Sequence, residues 1–94
     1  MPVNIYADDD SRQRIAWLCD DIWRLPEQID ALSEWLEANR TTIKGGRYIA
    51  DVGFAPRADA SGGGAAISTE ILRTMADLGI SLFLSEYPPV GSDQ

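Results

Sequence analysis

The stretch that decides the fold is residues 47–89, which read RYIADVGFAPR, ADASGGGAA, ISTEILRTMADLG and ISLFLSEYPP. Apolar residues alternate in the first and last pieces, as in strands, and recur every three to four residues in the third, as in a helix. Ser68 is placed to cap the start of that helix, and Gly79 is placed to end it. The stretch therefore predicts a strand, a glycine-rich loop, a helix and a second strand.

The residues before this stretch predict one more strand, at residues 3–7, and two more helices. A first helix is predicted after the acidic residues 8–10 by apolar residues at helical spacing: Ile15, Leu18, Ile22 and Leu25. Pro26 ends that helix and opens a second one, which is predicted to run to Lys44. The predicted fold is α/β (α+β), a small three-stranded sheet with about three helices in the order strand-helix-helix-strand-helix-strand.

The domain organisation follows from the length of 94 residues, which is too short for two separate cores. We expect a single α/β domain at residues 1–89 and a flexible C-terminal tail at residues 90–94. The strand order stays open. The helix between the last two strands permits a parallel crossover, and the N-terminal strand can also lie between those two strands.

The C-terminal half also resembles a known family. The segment ISTEILRTMADLGISLFLSEYP, with the strand and loop before it, is similar to the C-terminal part of the bacterial family catalogued as domain of unknown function 4279. Members of that family end in a loop, a Ser-x-Glu-Leu-Leu helix, a Leu-Gly pair and a strand that closes on Tyr. The resemblance covers residues 48–88 and implies an α/β fold. It implies no site residues, because the family has no established activity.

The charge of the chain limits its partners. Fifteen Asp and Glu residues against 8 Lys and Arg residues give a net charge of −7, which repels nucleic acid and anionic membranes and favours a protein partner with a basic surface. The single cysteine, Cys19, excludes an internal disulfide and indicates a reducing compartment. No apolar run approaches the roughly 20 residues of a membrane span, and the N-terminus does not read as a secretion signal. We therefore expect a cytoplasmic protein.

The absence of histidine limits catalysis, because it excludes Ser-His-Asp triads, Cys-His pairs and histidine-based metal sites. Cys19 lies next to Asp20, which disfavours its thiolate. The acids at 8–10 with Asp20 and Asp21 do not have the spacing of a calcium loop. The glycines at 62–64 lack the Lys-Ser/Thr of a phosphate loop, and we interpret them as a flexible connection. We expect no catalytic residue, no metal and no cofactor.

The best candidate for a functional surface is the polar face of the second helix. Four acidic side chains fall within a sector of about 80°, opposite the apolar stripe: Glu27, Asp30, Glu34 and Glu37. On the first helix, Trp17 and Asp20 also point away from the apolar stripe, and exposed tryptophan is common at interfaces. These six residues are the predicted partner-binding set. The alternative interpretation of the acids is an ordinary solvated helix face.

These patterns predict a small acidic protein-binding domain that carries out no chemistry. Its most concrete form is a bacterial or phage inhibitor or immunity-type protein that covers a basic surface of a nucleic-acid-handling partner, with Trp17 as an apolar anchor. One alternative is a structural or assembly subunit that forms a homo-oligomer, such as a homodimer, through a sheet face carrying Phe83 and Tyr87. A less favoured alternative is an enzyme that uses carboxylates and a divalent cation.

Overall fold

The structure is a computed structural model that describes residues 2–87. These residues form four strands and two helices. The strands are β1 (Val3–Ala7), β2 (Arg14–Leu18), β3 (Tyr48–Phe54) and β4 (Ile80–Glu86). The helices are α1 (Leu25–Asn39), between β2 and β3, and α2 (Thr69–Leu78), between β3 and β4. Neither helix is long and apolar enough to cross a membrane. The tail predicted at residues 90–94 lies outside the described residues.

The four strands form one mixed sheet in the order β2-β1-β3-β4. β1 is antiparallel to both of its neighbours, whereas β3 and β4 are parallel and are joined by the crossover through α2. The N-terminal strand therefore lies beside β3 and not between the last two strands. The prediction of a three-stranded sheet with about three helices is wrong, because the described residues form an α+β fold with a four-stranded sheet and two helices.

The segment predicted to be the first helix is the second strand of a hairpin. Its apolar residues do recur at helical spacing, but β2 pairs with β1, and strand alternation decides which side chains are covered. Ala16 and Leu18 pack against the core, whereas Ile15 and Trp17 are exposed. Aromatic and β-branched residues suit a strand, and pairing with β1 outweighs the local helical pattern.

A turn held by Asp9 connects the two strands of this hairpin. Its carboxylate Oδ1 accepts hydrogen bonds from the backbone N of Ser11 at 2.9 Å and from Ser11 Oγ at 2.6 Å. Arg12 follows in the left-handed conformation, with φ 49°. The acidic residues 8–10, which would also suit the start of a helix, therefore belong to a turn.

Both helices cover the same face of the sheet. One cluster of buried side chains joins the two helices to that face: Val3, Ile5, Leu32, Leu36, Ala50, Val52, Met75, Leu78 and Ile80. By strand alternation, Asn4 and Asp51 lie on the opposite face, which no helix of residues 2–87 covers. The sheet thus has one face in the core and one face open to a partner.

Helix α1 ends earlier than the sequence predicts, at Asn39 and not at Lys44. The carbonyl of Asn39 accepts hydrogen bonds from the backbone N of Thr42 at 3.0 Å and of Ile43 at 3.1 Å. Two consecutive β-branched residues, Thr41 and Thr42, favour this turn over another helical turn. Ile43 still packs against the core, but it does so from a loop.

Both ends of α2 confirm the predicted caps. The Oγ of Ser68 accepts a hydrogen bond from the backbone N of Ile71 at 3.2 Å. Gly79 is left-handed, with φ 79°, and its N–H points to the carbonyls of Met75 and Ala76. These local contacts fix where the crossover helix begins and where β4 follows it.

Candidate functional site

The predicted acidic side chains of α1 lie on the side of the helix that faces away from the sheet. The inner side is buried through Ile29, Leu32 and Leu36. The four acids predicted to bind a partner are all exposed: Glu27, Asp30, Glu34 and Glu37. The structure therefore brings these four onto one outer face.

Ion pairs are formed at the two ends of this row of acids. Glu27 Oε2 lies 3.3 Å from Arg24 Nη1, and Glu37 Oε2 lies 3.7 Å from Arg40 Nη2. Exposed pairs of this kind contribute only about 0–1 kcal/mol each, so a partner can exchange them at little cost. The two middle acids, Asp30 and Glu34, make no ion pair within residues 2–87.

Helix α2 adds one more acid to this surface. Glu70, in the first turn of α2, lines a shallow groove between the helices together with Glu34 and Glu37. No sequence signal places the start of α2 beside α1, so this residue was not predicted. We use the name acidic helical face for the five carboxylates of the two helices: Glu27, Asp30, Glu34, Glu37 and Glu70.

Trp17 and Asp20, the other two residues of the predicted set, lie away from the acidic helical face. Trp17 belongs to β2, where Asn4 is its partner on β1, whereas the next pair, Val3 and Leu18, packs into the core. Trp17 therefore points to the sheet face opposite the helices, where it is 43% exposed. Asp20 is exposed in the turn after β2. The six predicted residues do not form one surface.

The open side of the sheet carries a row of four residues, one from each strand: Trp17, Asn4, Asp51 and Phe83. The rings at the two ends are exposed, and Phe83 is 55% exposed. Between them, Asp51 Oδ1 accepts a hydrogen bond from Ser85 Oγ at 2.7 Å. The guanidinium of Arg14 lies 4.2 Å from the centroid of the Trp17 ring, a cation–π contact. We refer to this row, with Arg14 beside it, as the bare sheet face.

Tyr87, which the sequence places on the same face as Phe83, packs at the end of the sheet against Trp23. The two ring centroids are 5.4 Å apart and the ring planes are 73° apart. Tyr87 also covers Gly53, where a Cβ would lie 2.6 Å from Tyr87 Cε2, so a larger residue does not fit there. Tyr87 therefore closes the end of β3, and Phe83 is the aromatic residue that β4 offers on the bare sheet face.

Two of the carboxylates that were considered as metal ligands make other contacts. Asp8 Oδ2 lies 3.7 Å from Arg47 Nη2, and Asp9 accepts the hydrogen bonds from Ser11. Within residues 2–87, no three Cys, Asp or Glu side chains come together in a way that could hold a metal ion. Cys19 is partly buried, and this burial raises the pKa of its thiol, which disfavours the nucleophilic thiolate.

In comparisons with known proteins, no family model, no curated protein and no solved structure matches this chain. The resemblance of residues 48–88 to the domain of unknown function 4279 family therefore stays a prediction. The acidic helical face and the bare sheet face are the two surfaces of residues 2–87 that a partner could bind.

Proposed function

We propose that the chain is a small protein-binding domain that uses the acidic helical face to cover a basic surface of its partner. The observation that supports this most directly is the set of five exposed carboxylates on two packed helices, of which, among residues 2–87, only Glu27 and Glu37 form ion pairs. A surface of one sign attracts a surface of the opposite sign, orients it and speeds association.

Within this class, an inhibitor or immunity-type protein of a bacterium or phage fits the surface best. Carboxylates at helical spacing take the place of phosphates, so that they block the basic site of a nucleic-acid-handling protein. The net charge of −7 disfavours binding of the domain itself to nucleic acid. The single Cys19 fits a reducing compartment, and we propose the cytoplasm as the place of action.

Capture with matched variants tests this proposal. The immobilised wild-type domain is used to capture a partner from an extract of the native host. The captured protein is then purified, and its affinity for the wild-type domain is measured. We expect a basic protein whose affinity falls at least about tenfold with Asp30→Asn and Glu34→Gln together, since two desolvated charge pairs are lost.

The control carries Asp59→Asn and Glu86→Gln, which change the net charge equally at exposed positions outside the acidic helical face. This variant is expected to bind as the wild type does. Equal losses for both double variants, or no loss for either, would remove the acidic helical face as the recognition surface.

The bare sheet face supports a second candidate function, which is assembly into a homodimer. Exposed aromatic rings on an uncovered sheet face are typical of interfaces. The row is also self-complementary. If a second copy packs on it about a two-fold axis parallel to the strands, Trp17 meets Phe83 of that copy, and the amide of Asn4 meets the carboxylate of Asp51.

Light scattering tests the homodimer. We expect twice the monomer mass for the wild type at about 0.1 mM protein, a concentration at which a micromolar dimer is formed. Trp17→Gln and Phe83→Gln are each expected to give the monomer mass. The control is Leu72→Gln, which removes an exposed apolar side chain from α2 and leaves the bare sheet face intact. A monomeric wild type would rule out this function at that concentration.

A further inference from the structure

A cavity of about 460 Å³ opens where β3 ends and the loop into α2 begins. Small-molecule sites have volumes of about 300–1,000 Å³, so this cavity is large enough for one. Three segments line it: residues 24–26 at the start of α1, residues 54–57 after β3, and the glycine-rich loop at Ala60 and residues 62–64. The cavity lies at the carboxyl end of a parallel strand, which is where ligand crevices form in sheets with helical crossovers.

Two arginines from different segments, Arg24 and Arg57, are among the residues that line this cavity. Arg57 Nη2 donates to the carbonyl of Gly62 at 2.7 Å, which uses one N–H of a group that has several. Arg24 pairs with Glu27, but its side chain is 75% exposed, so that pair is weak. A guanidinium matches the geometry of a phosphate or carboxylate group and can bind it through two parallel hydrogen bonds.

The glycines let the loop run close to Arg57. Gly62, Gly63 and Gly64 have φ values of 132°, 87° and 119°, which favour glycine over residues with a side chain. A Cβ at Gly63 would lie 3.0 Å from Arg57 Nη2 and would crowd the guanidinium. The glycine run therefore shapes the wall of the cavity around an arginine, in addition to connecting β3 with α2.

The remainder of the lining is apolar and is tied to the sheet. Its apolar residues are Leu25, Pro26, Phe54, Ala55, Pro56 and Ala60. The backbone N of Ala55 donates to the carbonyl of Trp23 at 2.9 Å, and the N of Tyr87 donates to the carbonyl of Phe54 at 3.0 Å. A ligand in this cavity thus meets a fixed apolar wall and two cationic groups.

We propose that this cavity binds a small organic oxyanion, a phosphate monoester or carboxylate carried on an apolar body. The guanidinium groups of Arg24 and Arg57 bind the oxyanion, and the wall that includes Phe54 contacts the apolar body. The phosphate-loop lysine is absent from the sequence, but the fold places two arginines, Arg24 and Arg57, in the lining of one cavity. This site borders the acidic helical face at the pair of Arg24 with Glu27, and its test uses small anions and not the basic partner.

Amide spectra recorded by NMR during a titration test the site. The probes are phenyl phosphate and benzoate, with benzyl alcohol as the neutral molecule of similar shape. We expect saturable shifts of the amides at residues 62–64 for at least one anionic probe, with a Kd of about 0.1–1 mM, and no saturable shift for benzyl alcohol. The tighter of the two anionic probes identifies the oxyanion.

Arg24→Gln and Arg57→Gln are each expected to weaken binding about tenfold, since each removes charge-assisted hydrogen bonds. Arg40→Gln is the matched control, because it removes the same charge and a similar ion pair at the other end of α1. If Arg57→Gln disturbs the fold, the amide spectrum of that variant shows the disturbance. The affinity of Arg24→Gln for the probe then tests the site. The site is ruled out if neither anion gives saturable shifts below about 10 mM. It is also ruled out if benzyl alcohol binds equally or if Arg40→Gln weakens binding as much as Arg24→Gln.

Discussion

Gly79 occupies a position that only glycine suits. Its φ of 79° lies in the left-handed region, and a Cβ there would overlap the carbonyl oxygen of Gly46. The surrounding backbone is fixed, since the N of Gly46 donates to the carbonyl of Leu78 at 3.2 Å and the N of Tyr48 donates to the carbonyl of Gly79 at 2.9 Å. The junction of α2 and β4 therefore has little room to adapt to a side chain.

We predict that Gly79→Ala lowers the free energy of unfolding by about 2 kcal/mol or more, from the left-handed conformation and the overlap together. Urea denaturation measures this quantity. Gly45→Ala is the control, because nothing lies within 4 Å of a Cβ at Gly45, and its change is expected to stay within about 0.5 kcal/mol. Equal changes for the two variants would contradict the close approach of Gly79 to Gly46.

Gln28 is a residue whose role the sequence does not indicate. Its side chain is fully buried, and its Nε2 donates to the carbonyls of Ile22 at 2.8 Å and of Gly53 at 2.7 Å. The amide thereby ties the segment before α1 to β3. From the sequence alone, a glutamine beside Glu27 is interpreted as part of the polar face of the helix. The two carbonyl groups that accept its hydrogen bonds are brought close by the tertiary fold, so local spacing does not reveal them.

Local signals explain why α2 was predictable and β2 was not. Helix α2 carries its own N-cap in Ser68 and its own end in Gly79, and both act through contacts with nearby residues. The acidic residues before β2 also suit the start of a helix, but Asp9 forms a turn with Ser11, and the hydrogen bonds of β2 go to β1. Apolar residues at helical spacing therefore predicted a helix that a non-local strand pairing replaces.

The turn between β1 and β2 gives a prediction on pH. Hydrogen bonds from Ser11, first from its Oγ and then from its backbone N, hold the pKa of Asp9 below its usual 3.8. Because the folded pKa is lowered, the turn gains its stabilisation above the unfolded pKa and loses it as the pH falls through the folded pKa. NMR titration of the Asp9 carboxyl is expected to show a midpoint below 3.8.

Ser11→Ala separates the effect of the side-chain hydrogen bond on the pKa of Asp9 from the effect of the surrounding charges. The variant keeps the backbone N–H but loses the hydroxyl, which is the largest cause of the lowered pKa. We expect the midpoint of Asp9 to rise part of the way towards 3.8. An unchanged midpoint would show that the turn is not held by this side-chain hydrogen bond.

The whole molecule has two distinct surfaces on opposite sides. The acidic helical face lies over the helices, and the bare sheet face, with Trp17 and Phe83, lies on the other side of the sheet. The four acids of α1 could be placed together from the sequence, because helical geometry is local. Trp17 could not be placed with them, because its side of the molecule depends on the pairing of β2 with β1.

This separation changes the expected form of recognition. A partner that binds the acidic helical face contacts carboxylates and not Trp17, so electrostatic attraction guides the encounter. Contacts of this kind act mainly on the association rate and are weakened by salt. A partner of the bare sheet face would instead bury aromatic rings and depend little on salt.

The association rate constant with the captured basic partner, measured against salt concentration, tests the central claim most directly. We predict a fall of about tenfold or more between about 0.02 M and 0.5 M salt for the wild type. The fall should be clearly smaller with Asp30→Asn and Glu34→Gln together, and unchanged with Asp59→Asn and Glu86→Gln together. A wild-type rate constant that stays the same across this range would contradict recognition through the acidic helical face.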